Sequence, residues 1–324
     1  MLSHIFAASL LASGVLASNI GQEVYARQNE DIPIKELSRY SEYAAATYCN
    51  ANTPVGDPVA CEANCDEVLK DAGTIITSFN TGPAPNSDIA GYVAVVPSRN
   101  EIIFAARGTY SNQNWQTNLN FALVDSLLVS GGKFHLGFYN AWVELSEDVR
   151  AAIDKAQSQY PDFRLKVIGH SLGGAIAAVA AAHLRSDGYD FDLYTYGQPR
   201  VGNDIISDYI TNSFPPGQLY RVTHQADPVP RLPPWQLFGY RHISPEIWLK
   251  GNPSDPKNWP AEDIQTCTGN WNFFCNMNPF IKFDPVDHGV YFGKMSCYNN
   301  ATSDAVDTMP EGISRFTDDE QTED

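Results

Sequence analysis

The spacing of apolar residues in the first half of the chain predicts helices and strands in turn. Tyrosine and alanine recur at steps of three and four from Leu37 to Cys49, which predicts a helix. Two apolar runs, 91–96 and 101–106, flank the turn 97–100 and predict a pair of strands. Helical spacing then returns in a longer amphipathic segment, at Trp142, Leu145, Val149, Ile153 and Ala156.

The second half of the chain repeats this alternation. The apolar run 163–168 predicts a short buried strand, and the alanine-rich segment 174–185 predicts a helix that packs closely on a sheet. Three further segments follow: a strand at 191–196, a helix at 204–214 and a strand at 219–224. Helices that alternate with buried strands indicate an α/β fold, with a mostly parallel central sheet covered by helices on both faces.

Length and composition predict one large secreted domain. The chain has 324 residues and 43% apolar residues, enough for a sizeable core. Residues 1–17 have the apolar core and small-residue end of a signal peptide and are too short to span a bilayer, so no transmembrane segment is expected. We expect a propeptide at 18–27, the catalytic domain at 28–298 and an acidic, disordered tail at 299–324.

An even number of cysteines in a secreted chain favours disulfides over a zinc site. Spacing alone leaves the pairing open. Two pairs are close in sequence, and the remaining two cysteines are far apart, so the expected bonds are Cys49–Cys297, Cys61–Cys65 and Cys267–Cys275. The sequence shows neither a metal-binding cluster nor a cofactor motif, and we expect neither a metal nor a cofactor.

The chain is acidic, with a formal net charge of −17 at pH 7. A surface of this sign repels phosphate backbones, which argues against nucleic-acid binding. Asn300, followed by Ala301 and Thr302, is the N-glycosylation acceptor sequence near the C-terminus.

The segment Gly169-His170-Ser171-Leu172-Gly173 lies between the predicted strand at 163–168 and the predicted alanine-rich helix. In a nucleophile elbow, a serine sits at the apex of such a strand-to-helix turn, and glycines are needed where side chains would clash. An ordinary turn is the alternative. Ser171 is therefore a candidate nucleophile.

A nucleophilic serine needs a histidine as base, and that histidine needs a carboxylate to orient it. In the order Ser, Asp or Glu, His, the base follows the acid. His288 fits this order best, while His242 competes with it. His183 is expected to face away from Ser171 because it lies within the predicted helix, and His224 precedes the best acid.

Asp227 is the preferred acid because it directly follows the predicted strand at 219–224, where residues point into the crevice of a parallel sheet. Initiation of the turn at Pro228 is its alternative role. Asp204 is expected to cap a helix, and Asp284 and Asp287 lie very close to His288.

Six motifs in register resemble the secreted fungal class 3 lipases. They span about Leu37 to Cys297 and are Arg107-Gly108-Thr109, Gly169 to Gly174, Tyr196 to Asn203, Arg221 to His224, Asp227 to Pro234 and His288 to Gly293. The resemblance implies an α/β-hydrolase domain in which Ser171 is the nucleophile, His288 the general base and acid, and Asp227 its orienting carboxylate. It further implies an oxyanion hole at Thr109 and Leu172 and a lid at 111–119, where Trp115 and Leu119 are the strongly apolar residues.

The implied activity is hydrolysis of acylglycerols or other lipid esters, at an oil–water interface, by a monomer. Arg107-Gly108-Thr109 and Cys267-Thr268-Gly269 also resemble the related feruloyl esterases, so hydrolysis of plant cell-wall esters is the alternative. A non-catalytic secreted binding protein on the same scaffold is a further alternative. The polar lid predicts that an interface increases the activity less than it does for a lipase with an aliphatic lid.

Overall fold

The computed structural model describes residues 32–63, 65–82, 88–108, 121–236, 238–278 and 283–298. The segments expected to be signal peptide, propeptide and acidic tail lie outside the described residues, as does Asn300. The described residues from Lys35 onward belong to one compact unit.

The largest element is an eight-stranded sheet with the order β1-β2-β3-β6-β7-β9-β11-β12. Its strands are β1 (Thr74–Asn80), β2 (Ala90–Val96), β3 (Glu101–Ala106), β6 (Arg164–His170), β7 (Phe191–Tyr196), β9 (Leu219–His224), β11 (Glu246–Leu249) and β12 (Ile264–Cys267). Five neighbouring strands, β3, β6, β7, β9 and β11, are parallel to one another. Antiparallel strands flank them at both edges of the sheet. The carboxyl ends of the parallel strands therefore open at one edge of the sheet.

Helices cover both faces of the sheet. The helices are α1 (Ile34–Ala46), α2 (Asp66–Asp71), α3 (Leu136–Gln159), α4 (Leu172–Ser186) and α5 (Asp204–Asn212). Apolar side chains of α3, α4 and α5 form one large core with one face of the strands. On the other face, α1 accepts hydrogen bonds from strand tyrosines, Tyr196 to the Leu37 carbonyl and Tyr92 to the Tyr43 carbonyl.

A second, smaller sheet has the order β10-β8-β5-β4. Its strands are β4 (Leu123–Asp125), β5 (Lys133–His135), β8 (Gly202–Asn203) and β10 (Tyr240–Arg241). Four 3₁₀ segments complete the described structure: Pro97–Arg99, Val229–Arg231, Ala261–Asp263 and Pro285–Gly289. Cys49 is bonded to Cys297, Cys61 to Cys65 and Cys267 to Cys275.

The first helix is shorter than the sequence predicted. The first helix ends at Ala46 rather than Cys49, so Tyr48 lies in the turn that follows. After His288 the chain makes a tight turn, in which Val290 pairs with Lys294 as an isolated bridge and Phe292 has a φ of 55°.

Candidate active site

The turn between β6 and α4 holds Ser171 in a backbone conformation that side chains rarely adopt. Its φ is 58° and its ψ is −128°, and its N–H donates to the Tyr196 carbonyl of the neighbouring strand. The turn is tight, since a Cβ at Gly169 would lie 2.1 Å from the Gly173 carbonyl oxygen. Such strain is held at functional sites by the surrounding structure. The geometry is that of a nucleophile elbow.

The His288 ring lies within hydrogen-bond distance of both Ser171 and Asp227. Its Nε2 lies 2.8 Å from Ser171 Oγ, and its Nδ1 lies 2.8 Å from Asp227 Oδ2. Both distances are hydrogen-bond distances. Three side chains from separate parts of the chain are thus joined through one imidazole ring.

The Asp227 carboxylate is fully buried and accepts two further hydrogen bonds. The Tyr291 hydroxyl donates to Oδ2, and the Val229 N–H donates to Oδ1 at 2.8 Å. Burial, followed by the negative charge of Asp227, raises the pKa of Tyr291 well above its usual range, so the phenol stays a donor. These bonds compensate for burying a charged group.

The other candidate bases do not contact Ser171 Oγ in the described structure. His242 Nε2 bonds the Pro230 carbonyl, and burial lowers the pKa of His242 well below its usual value. His183 stacks on Phe134 and Trp142, and burial lowers its pKa too. His224 Nδ1 lies 3.0 Å from the Asp287 carbonyl oxygen, and its Nε2 lies 3.2 Å from the Gly251 carbonyl oxygen.

The other candidate acids have structural partners. Asp204 Oδ1 accepts from the Ile205 N–H, whereas Asn203 caps α5 by accepting from Ile206. Asp284 caps the 3₁₀ segment Pro285–Gly289. Asp287 accepts from the Ala226 N–H at 3.0 Å, and burial raises its pKa.

The site includes histidine contacts that spacing did not reveal. His170, next to Ser171, places Nε2 2.9 Å from the carbonyl oxygen of His288, and the two rings are 4.6 Å apart. Burial holds the pKa of His170 well below its usual value. In the sequence, His170 lies just after the predicted strand at 163–168, and His224 ends the predicted strand at 219–224. Neither motif indicates what its histidine contacts.

Leu172 is the first residue of α4, so its N–H has no partner carbonyl within the helix. This N–H lies directly after Ser171, where an oxyanion donor belongs. Thr109, Trp115 and Leu119, the other expected oxyanion and lid residues, lie outside the described residues. Within the described ranges, no group of His, Cys, Asp and Glu could hold a metal ion. Among those same residues, no helix is long and apolar enough to cross a membrane.

Comparison with known proteins places this chain in a family. The family model "Lipase (class 3)" matches residues 103–237. The secreted mono- and diacylglycerol lipase 1 of Fusarium solani is 46% identical over 258 residues, 79% of this chain and 75% of that protein. The secreted mono- and diacylglycerol lipase A of Penicillium camembertii is 36% identical over 76% of this chain and 80% of its own.

The crystal structure of a mono- and diacylglycerol lipase from Aspergillus oryzae superposes with a TM-score of 0.76 at 35% identity. The match covers 82% of this chain and 99% of that one. Fold and elbow together define an α/β-hydrolase, which confirms the predicted fold class. More narrowly, the chain belongs to the class 3 lipase family, and it is a secreted, lipase-like esterase.

Proposed function

We propose that the protein hydrolyses acylglycerols through an acyl-enzyme on Ser171, with His288 as general base and acid and Asp227 as its orienting carboxylate. The observation that carries this proposal is the continuous chain of hydrogen bonds through the His288 ring, 2.8 Å on each side. Neutral imidazole has one N–H and one acceptor nitrogen. Since Asp227 accepts from the N–H at Nδ1, Nε2 is the nitrogen that can take the serine proton.

The reaction proceeds in two steps. Ser171 Oγ attacks the ester carbonyl while its proton moves to His288 Nε2, which then protonates the leaving glyceride alcohol. Water, deprotonated by the same nitrogen, then attacks the acyl-enzyme, and the proton passes from Nε2 to Ser171 Oγ as the fatty acid is released. The main-chain N–H groups of Leu172 and Thr109 would stabilise the oxyanion, each contributing about 3 to 4 kcal/mol.

Mono- and diacylglycerols are the proposed preferred substrates, because the names of the Fusarium and Penicillium relatives state that specificity. Feruloyl esters are the competing substrate class. Initial rates on matched mono-, di- and triacylglycerols, a phospholipid and methyl ferulate distinguish the two. We expect diacylglycerol turnover to exceed that of triacylglycerol and of methyl ferulate, whereas faster turnover of methyl ferulate would favour the feruloyl esterase.

The polar segment 111–119 affects how much a lipid–water interface should increase the rate. With Trp115 and Leu119 as its strongly apolar residues, this lid would gain less from contact with lipid than an aliphatic one. We therefore expect only a small rise in rate as a short-chain ester passes its solubility limit. A steep rise at that limit would contradict this expectation.

A further inference from the structure

His170 directly precedes the nucleophile Ser171, and its ring contacts the segment that carries the base. Its ring is buried, and the low pKa of that ring keeps it neutral, with a single N–H. The His288 carbonyl oxygen, 2.9 Å from Nε2, can only accept a hydrogen bond, so Nε2 carries the proton. Nδ1 then accepts from the Tyr48 hydroxyl at 3.4 Å. The tautomer of His170 follows from these two partners.

His224 makes the corresponding contact from the strand that leads to Asp227. It is fully buried at the end of β9, and its Nδ1 lies 3.0 Å from the carbonyl oxygen of Asp287. Nε2 lies 3.2 Å from the Gly251 carbonyl oxygen. Both oxygens can only accept, and we assign the N–H to Nδ1, which makes the shorter contact and also lies 4.0 Å from the Asp287 carboxylate.

We propose that His170 and His224 are positioning residues for the general base. Each donates a ring N–H to one of two successive main-chain carbonyls, those of His288 and Asp287. Together they fix the main chain that carries the His288 ring to the ends of β6 and β9, the strands that lead to Ser171 and Asp227. The inference rests on the proposed function, because it assigns these bonds the task of holding His288 within reach of Ser171 Oγ.

The physical need for such bonds is evident from where His288 lies. It belongs to a five-residue 3₁₀ segment, Pro285–Gly289, rather than to a strand or long helix. Short 3₁₀ segments have poor hydrogen-bond geometry and hold a side chain less firmly. A displacement of about 1 Å at a reacting group can cost about 100-fold in rate. Two hydrogen bonds from buried rings restrict that displacement.

Paired amide substitutions test the proposal because they move the donor within the side chain. Asn places its amide N–H near the Nδ1 position of histidine, whereas Gln places it near Nε2. We expect His170→Gln to keep more activity than His170→Asn, and His224→Asn more than His224→Gln. In each pair kcat on a soluble short-chain ester should differ by about 10-fold or more, with KM nearly unchanged.

His183 provides the matched control, since it is a half-buried histidine that stacks on aromatic rings away from Ser171. His183→Asn and His183→Gln should have equal kcat. If His170 and His224 had only a structural role, kcat would rank Asn and Gln in the same order at both positions. That order would follow the thermal stability of the variants. That ranking, or equal kcat within each pair, would overturn the proposal.

Nitrogen-15 NMR of the histidine rings in the wild-type protein tests the proposal even if the variants fail to fold. Slowly exchanging protons on His170 Nε2 and His224 Nδ1 are expected, whereas a proton on Nδ1 of His170 or none on Nδ1 of His224 would overturn the proposal. Ser171→Ala is measured in parallel. If Ser171→Ala stays active, the proposed function fails; if it is inactive and the crossed ranking is absent, only the positioning role fails.

Discussion

At the scale of single residues, the site depends on backbone conformations that few side chains tolerate. Ser171 has a positive φ, and so does Gly197, which follows β7 and lies against the side chains of Asp227 and His288. Strain at Ser171 exposes Oγ to the base. At Gly197, the absence of a side chain gives the acid and the base room to meet.

Gly197→Ala should therefore impair catalysis more than stability. An added Cβ would lie 3.0 Å from Asp227 Oδ2 and 3.0 Å from His288 Cε1, at a φ of +57°. We expect kcat to fall by about 10- to 100-fold, because the His288 ring must shift. Steady-state kinetics on a soluble ester, normalised to active folded protein, measures this loss.

Gly188→Ala is the matched control. Gly188 also has a positive φ, +93°, but nothing lies within 4 Å of the position that an added Cβ would take. Both variants should lose roughly 1 kcal/mol or more of folding stability through the unfavourable φ. Only Gly197→Ala should lose kcat, and equal kcat in the two variants would contradict the proposed contact.

The sequence predicted the candidate residues at this scale but not their contacts. Ser171 stood out because its glycines and flanking elements are local features. Chain order excluded His183 and His224 as the base, but His242 also follows Asp227, so the choice of His288 rested on the lipase resemblance as well. Histidines distant in sequence give no sign of which one reaches the serine. The contacts of His170 and His224 with main-chain carbonyls could not be predicted, because any carbonyl can accept.

At the scale of elements, long apolar patterns predicted the structure best. The strands Phe191–Tyr196 and Leu219–His224 have the bounds that the sequence predicted. The helix after Ser171 begins at Leu172 rather than at 174. The earlier start could not be predicted, because Gly173 is a poor helix former. The two- and three-residue strands of the smaller sheet are too short to show any periodicity.

Helix α2 shows how one element depends on a distant side chain. Its N-cap residue, Cys65, makes no side-chain capping bond. Instead, the buried carboxylate of Glu42, on α1, accepts from the N–H groups of Glu67 and Val68 in the first turn. Lys257 bonds the same carboxylate at 3.1 Å. A negative group at a helix N-terminus is stabilising.

Glu42→Gln should destabilise the fold by about 1 to 2 kcal/mol without changing kcat. The amide keeps one acceptor oxygen but loses the charge and turns a donor toward Lys257. Urea unfolding followed by circular dichroism measures the change. Glu262→Gln, at an exposed position, is the control and should lie within about 0.5 kcal/mol of wild type. Equal stability of the two variants would rule out the cap.

At the scale of the whole molecule, the parallel strands bring distant segments to one edge of the sheet, where Ser171 and Asp227 follow β6 and β9. A disulfide then links the two ends of the described chain. Cys49, just after α1, is bonded to Cys297, which follows the His288 segment, and the bond spans 248 residues. In the chain-entropy picture, closing so long a loop in the unfolded chain stabilises the fold strongly.

Replacing Cys49 and Cys297 together by serine should cost about 5 kcal/mol. The matched control is the double serine variant of Cys267 and Cys275, whose bond spans only 8 residues and should cost about 2.5 kcal/mol. Guanidinium unfolding of both variants, under non-reducing conditions, measures the difference. A larger loss for the short loop would show that local packing, rather than loop length, sets the contribution.

The rate of diacylglycerol hydrolysis by Ser171→Ala, beside wild type at equal concentration of folded protein, tests the proposed nucleophile most directly. Removing Oγ leaves the fold and the substrate site in place while removing the atom that forms the acyl-enzyme. We predict that turnover of the emulsified substrate falls by at least about 10⁴-fold. Turnover within about tenfold of wild type would contradict an acyl-enzyme on Ser171.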